Sequence, residues 1–171
     1  GDNIVLANLC ARFGKTIWAG AVSLESDTQL TIVASYVKTV FTSFGNDLKM
    51  FEQFADIVHI DTADDDYRQK TTLALEAGKK VIAYLSLCNG SKRQSRINYL
   101  FSWDIPTMLV IDEADFGAHS ANQADVLLKK VDDDLKVVIM TGTNGERAVT
   151  YWPIDHMVLS LIHISEPTRP E

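Results

Sequence analysis

The sequence predicts an α/β fold, a mainly parallel β-sheet with helices on both faces. Three observations point to it. Short apolar runs rich in Val and Ile recur at 3–9, 31–37, 57–61, 81–87, 108–112 and 136–141. Most are continuous rather than alternating, as strands buried on both faces are. Between them lie segments with helical periodicity, at 16–25, 44–55, 65–77, 92–103 and 121–133. Strand alternating with helix makes βαβ units, whose strands run parallel. Finally, no internal repeat, linker or low-complexity stretch interrupts residues 1–158, which read as one domain.

With 171 residues, 46% of them hydrophobic, the chain is long enough to bury one sizeable core. A net charge of −7 excludes a protein that coats nucleic acid by bulk charge and leaves room only for a local basic patch. Cys10 and Cys88 form no Cys-x-x-Cys pair, so reduced thiols in a cytoplasmic setting are expected. No apolar run has the length of a membrane span and no signal peptide opens the chain, so no membrane partner is expected. The chain opens on Gly1, almost on top of its first strand, and further natural sequence is expected upstream.

In chain order, Ile4-Val5-Leu6-Ala7 reads as a buried strand. It runs into Leu9-Cys10-Ala11-Arg12-Phe13-Gly14-Lys15-Thr16, and Ile17-Trp18-Ala19-Gly20 then starts a helix. Strand, tight loop, Gly-Lys-Thr and helix is the layout of a phosphate-binding loop. Loop N–H groups and the positive end of the helix cradle phosphate oxygens there. Lys15 would reach the β- and γ-phosphates, and the Thr16 hydroxyl would sit on Mg²⁺. Leu9 stands where that motif has glycine. Taken alone, the stretch reads equally as a strand–helix turn with an ordinary lysine at a helix start. Phe13 either shields the loop or packs beneath it.

Further on, Asp64-Asp65-Asp66 is expected to cap the helix at 65–77 and suit its dipole. Gly78 ends that helix, with Lys79 and Lys80 beside its negative end. Ser91 is a candidate N-cap before Lys92-Arg93-Gln94, and Asp132-Asp133-Asp134 a polar turn before the strand at 136–141. His59, His119 and His156 have no ligand spacing with cysteine or with each other, so no metal other than Mg²⁺ is expected. Trp18, Trp103 and Trp152 read as core or rim packing rather than base-stacking platforms.

The run Met108-Leu109-Val110-Ile111 ends in Asp112-Glu113, followed by Ala114-Asp115. The C-terminal edge of a parallel strand is where open α/β sheets bind ligands. One carboxylate there can hold Mg²⁺ and its neighbour can orient a water. An apolar run before Asp-Glu is common by itself. It gains weight from the Gly-Lys-Thr after an earlier strand.

Here the chain resembles the superfamily 2 helicases and translocases, ATP-driven nucleic-acid motors built from two RecA-like domains. The matching motifs are Arg12-Phe13-Gly14-Lys15-Thr16, Asp112-Glu113-Ala114-Asp115 and Thr141-Gly142-Thr143. The extension Phe116-Gly117-Ala118-His119 looks most like restriction-type and phage helicases, and less like the DEAD-box RNA helicases. The resemblance spans roughly residues 3–145 and implies a RecA-like P-loop domain, the first of the two. It implies ATP and Mg²⁺ as cofactors. Arg12 to Thr16 would bind the nucleotide, Lys15 its phosphates, and Thr16 and Asp112 the Mg²⁺. Glu113 would position the attacking water, while Asp115, Thr141 and Thr143 would link the site to the nucleic-acid track. The strand ending at Thr141 would lie between the phosphate-loop strand and the acidic strand. Lys38, Thr39, Ser91, Lys92, Arg93 and Arg96 would contact nucleic acid, with DNA the expected partner. A second RecA-like domain would supply an arginine finger. A packaging motor and a non-catalytic nucleotide-binding module are the alternatives.

Residues Leu159 to Arg169 read LSLIHISEPTR. That string resembles a frame translation of a transposase-type sequencing adapter, residue for residue. The functional reading therefore leaves out residues 159–171, as one leaves out a fusion scar, and expects the natural protein to continue beyond Val158.

Overall fold

The structure, a computed structural model, describes residues 4–8, 20, 22–23, 27–88, 90–113, 127, 135–141 and 156–159. Seven strands form one sheet: β1 Ile4–Asn8, β2 Leu30–Ser35, β3 Val58–Asp61, β4 Val81–Ser86, β5 Thr107–Glu113, β6 Lys136–Thr141 and β7 His156–Leu159. Their order is β3-β4-β2-β5-β6-β1-β7, and every adjacent pair is parallel. The α/β fold expected from the sequence is the observed one.

Side chains alternate along a strand, so β2, β4, β5 and β6 each feed two cores. Leu30, Ile32 and Ala34 of β2 join Ala83, Leu85, Leu109 and Ile111 on one face. Val33 joins Ile82, Tyr84, Met108 and Val110 on the other. Helix α1 (Thr39–Lys49) covers the second face with Phe41, Phe44 and Leu48. Helices α2 (Tyr67–Glu76) and α3 (Arg93–Leu100) contribute Ala74, Leu75, Ile97 and Leu100 to the first. Leu127, helical and fully buried within the expected 121–133 segment, joins that face as well.

The differences from expectation have physical causes. Helix α1 starts at Thr39, five residues before the expected 44, and ends at Lys49. Thr39, Val40 and Thr42 are poor helix formers, but the i, i+3, i+7 set Phe41, Phe44 and Leu48 faces the sheet and packing overrides propensity. Phe51 is extended (φ −115°, ψ 128°), so the expected run to 55 breaks into a separate 3₁₀ turn at Glu52–Phe54. The apolar end of β7, which pairs with β1 up to Asn8↔Leu159, was not among the expected strands.

Helix α2 ends as expected. Gly78 takes φ +75°, and Gly78 N–H and Lys79 N–H donate to the carbonyls of Leu75 and Ala74. These are the paired bonds of a Schellman motif. At its start, Asp66 occupies the N-cap position but makes no side-chain cap. Its carboxylate instead meets Lys70 at 3.1 Å, with Asp64 3.6 Å from the same ammonium. Lys80 turns away from α2: its ammonium donates to the carbonyls of Ser23 (2.7 Å) and Thr28 (3.0 Å). That ties the start of β4 to the segment before β2.

Candidate functional site

A parallel sheet gathers every strand's C-terminal end at one edge. Register aligns Asn8 with Thr141 and Thr141 with Glu113. Adjacent strands are about 4.8 Å apart, so the backbone leaving Asn8 toward Leu9 starts about 10 Å from the Asp112-Glu113 pair. β6 lies between β1 and β5, the placement that the resemblance implies for the strand ending at Thr141. Arg12, Phe13, Gly14, Lys15, Thr16, Asp115 and Thr143 lie outside the described residues, as do the carboxylates of Asp112 and Glu113 and the Thr141 side chain. So do Cys10, Trp18, Trp152 and the Asp132-Asp133-Asp134 turn.

The same edge continues along β2 and β4. Ser35 is aligned with Asp112 on one side and with Ser86 on the other. The two loops that follow are stitched together. Leu87 N–H donates to Ser35 O (2.9 Å), and Cys88 Sγ–H to Tyr36 O (3.1 Å). The Ser35 and Ser86 hydroxyls each accept from the amide two residues on, Val37 N–H (3.1 Å) and Cys88 N–H (3.3 Å). Such serine turns hold a loop in one shape.

On this frame stand the residues expected to touch nucleic acid. Lys38 and Thr39 are exposed at the start of α1, and Ser91 and Lys92 are exposed just before α3. Lys92, not Ser91, occupies the N-cap position of α3, and no side chain caps it. Arg93 is half-buried and donates to Leu87 O at 3.1 Å, so it holds its own loop. Arg96 and Lys38 line one cleft.

That cleft, about 460 Å³, opens between α1 and the ends of β3 and β4. Besides Lys38 and Arg96 it is lined by Lys49, His59, Asp61 and Tyr84. His59 Nδ1 lies 2.7 Å from the Tyr84 hydroxyl, and the rings are nearly parallel, 10° apart with centroids at 5.9 Å. Burial, and then the Lys49 ammonium, lowers the His59 pKa to about 4, so the ring is neutral near pH 7. Burial, helped by the Asp61 charge, pushes the Tyr84 hydroxyl well above the ordinary tyrosine value. Sequence reasoning passed over His59 because it tested only metal spacing. Nothing local marks Tyr84, since the pair forms across β3 and β4.

Trp103 packs edge-on against Tyr99 (6.4 Å), as expected of a rim tryptophan. Cys88 is a free cysteine. Among the described residues, no helix is long and apolar enough to cross a membrane, and no group of three His, Cys, Asp or Glu could hold a metal.

Fold and edge together define an α/β protein with an all-parallel sheet, the ends of β1, β6 and β5 side by side. No family model matches the chain, and no curated protein matches it.

Proposed function

We propose that the chain is the ATP-binding and hydrolysing motor domain of a nucleic-acid helicase or translocase, with DNA as its track. The observation that supports this reading is the strand order. β6 separates β1 from β5, and Asn8, Thr141 and Glu113 form one row. The stretch ending in Gly14-Lys15-Thr16 leaves that row on one side and Asp112-Glu113 closes it on the other. The spacing of about 10 Å between two strands one apart suits a Mg-nucleotide held from both sides. ATP with Mg²⁺ supplies the phosphoryl group that is transferred to water. Lys15 binds the phosphates, Thr16 and Asp112 hold the metal, and Glu113 orients the water, so the chain's part is positioning and charge stabilisation. Asp115, Thr141 and Thr143 relay the state of the site toward the loops after β2 and β4. A second RecA-like domain completes the site, so this chain alone turns over slowly.

The test is titration of the full chain with a fluorescent ATP analogue in Mg²⁺. Weak binding is expected, lost in Lys15→Ala and kept in Glu113→Gln. No binding by the unaltered chain, or equal binding by Lys15→Ala, overturns the reading.

A further inference from the structure

Ser35 closes β2 at the edge of the sheet that carries the candidate site, and it is fully buried, 0% exposed. A hydroxyl has one proton to donate and lone pairs to accept with. The accepting side is accounted for: Val37 N–H donates to Ser35 Oγ at 3.1 Å. The donating side is not. Among the described residues, none takes a hydrogen bond from the Ser35 hydroxyl. Buried polar groups are nearly always satisfied, and a buried donor without an acceptor is costly, so this proton calls for an explanation.

Register narrows the choice. Val33 of β2 packs in the α1-side core with Tyr84 of β4 and Val110 of β5. Two residues further along each strand, alternation places Ser35, Ser86 and Asp112 on that same face. The three stand in one row, Ser35 aligned with Ser86 on one side and with Asp112 on the other. The Ser86 hydroxyl takes the Cys88 N–H at 3.3 Å, and the two serine hydroxyls do not bond each other. Asp112 remains. An ionised carboxylate only accepts. Aligned residues on neighbouring strands are about 4.8 Å apart, which a hydroxyl and a carboxylate bridge with one hydrogen bond.

We propose that the Ser35 hydroxyl donates its proton to the Asp112 carboxylate and so orients it. Ser35 is then a positioning residue: it touches neither nucleotide nor metal and acts through Asp112. Carboxylates that hold a metal are themselves hydrogen-bonded, which aims their remaining lone pairs, and losing such a partner costs about 10–100-fold in metal affinity. The role toward Mg²⁺ rests on the motor reading, whereas the contact between the two side chains does not. Through its carbonyl and hydroxyl, Ser35 also holds Leu87 N–H and Val37 N–H. One buried serine thus joins the acidic strand to the loops after β2 and β4.

Two measurements on the full chain separate the contact from its role. The first is a double-mutant cycle of Ser35→Ala and Asp112→Ala, read by urea unfolding. Ser35→Ala also frees the Val37 amide, but it does so in both backgrounds and that cost cancels. A coupling of about tenfold in the folding equilibrium is expected for a hydrogen bond to a charged group. Additive effects overturn the proposal. The second is titration with the fluorescent ATP analogue, in Mg²⁺ and in EDTA. Ser35→Ala should weaken binding about tenfold in Mg²⁺ and leave it unchanged in EDTA. Ser35→Thr, which keeps the hydroxyl, should restore the Mg²⁺ value. Ser86→Ala, which loses the equivalent turn on the side away from Asp112, should bind as the unaltered chain does. An equal loss in both media, or the same loss in Ser86→Ala, leaves Ser35 a turn residue only and overturns the proposal. Coupling in urea with Mg²⁺ binding that ignores Ser35→Ala overturns the positioning role and leaves the motor reading standing. Coupling in urea with no nucleotide bound by the unaltered chain supports the contact and sinks the motor reading instead.

Discussion

The same substitution, glycine to alanine in a helix, should have opposite signs at two positions of this protein. Each exchange gains about 1 kcal/mol from helix propensity. At Gly45, in the middle of α1, the new methyl meets the Tyr84 hydroxyl at 3.4 Å and His59 Nδ1 at 3.8 Å, ordinary contact distances. Nothing opposes the gain, so Gly45→Ala should stabilise by about 0.5–1 kcal/mol. At Gly20 the methyl would stand 2.5 Å from Leu48 Cδ2 and 3.3 Å from two ring carbons of Phe54. Leu48 is 0% and Phe54 1% exposed, so neither can swing into solvent. Overpacking of that kind costs about 1–3 kcal/mol, and the net is a loss of about 1 kcal/mol. For a chain of this size, 1 kcal/mol moves Tm by about 2–4 °C. The two variants should therefore melt about 3–8 °C apart by calorimetry, on either side of the unaltered protein. Gly20→Ala melting at or above the unaltered protein would refute the close approach of its helix to α1 and the 3₁₀ turn. Gly45→Ala melting below it would show that α1 packs on Tyr84 and His59 more tightly than those distances say.

Two further outcomes follow from single groups. The folded state holds the His59 pKa at about 4, below the ordinary histidine value of 6.5, so between those values the unfolded chain binds more protons. Stability should be full above pH 6.5 and fall as pH drops toward 4, and His59→Gln should flatten that part of the urea-midpoint profile. An equal slope in the variant would remove His59 as the cause. Gly78→Ala places a side chain at φ +75° with no atom within 4 Å of it, so its cost is backbone strain alone, about 1–2 kcal/mol. Gly78→Asn should lose less in the same melt, because asparagine tolerates that region, and equal losses would point to a cause other than φ.

What could be read from the sequence is what is local or strongly periodic. The run Lys136–Thr141 is a strand at the residues expected, because a continuous Val-Val-Ile-Met stretch between a triple aspartate and Thr-Gly has no other economical reading. Gly78 was legible since a left-handed C-cap leaves a glycine in the sequence. The start of α1 was not: Val37, Thr39 and Val40 look extended, and only the sheet beneath Phe41 and Phe44 makes them helical. The Asp64 to Asp66 run signals a helix start, but whether a carboxylate caps amides or pairs with Lys70 is settled by rotamers that sequence does not encode. Ser91 failed for a related reason. Arg93 reaches back to Leu87 O and draws the helix start onto Lys92.

The two parts of the candidate site differ in legibility because of strand order. Asn8, Asp112-Glu113 and Thr141 each close an apolar run, so their shared edge follows once the strands are known to be parallel. The cleft follows from nothing so local. It needs β3 to lie outside β4, which sets Asp61 opposite Tyr84 and His59 opposite Ile82. It also needs α1 to cross that face, bringing Lys38, Gly45 and Lys49 over the pair. Had β3 followed β2 directly in the sheet, His59 would face a Val33 neighbourhood and Tyr84 would lose its ring partner. The His59–Tyr84 pair is thus a product of the β3-β4-β2 crossover, and the pH profile of His59→Gln is also a test of that order.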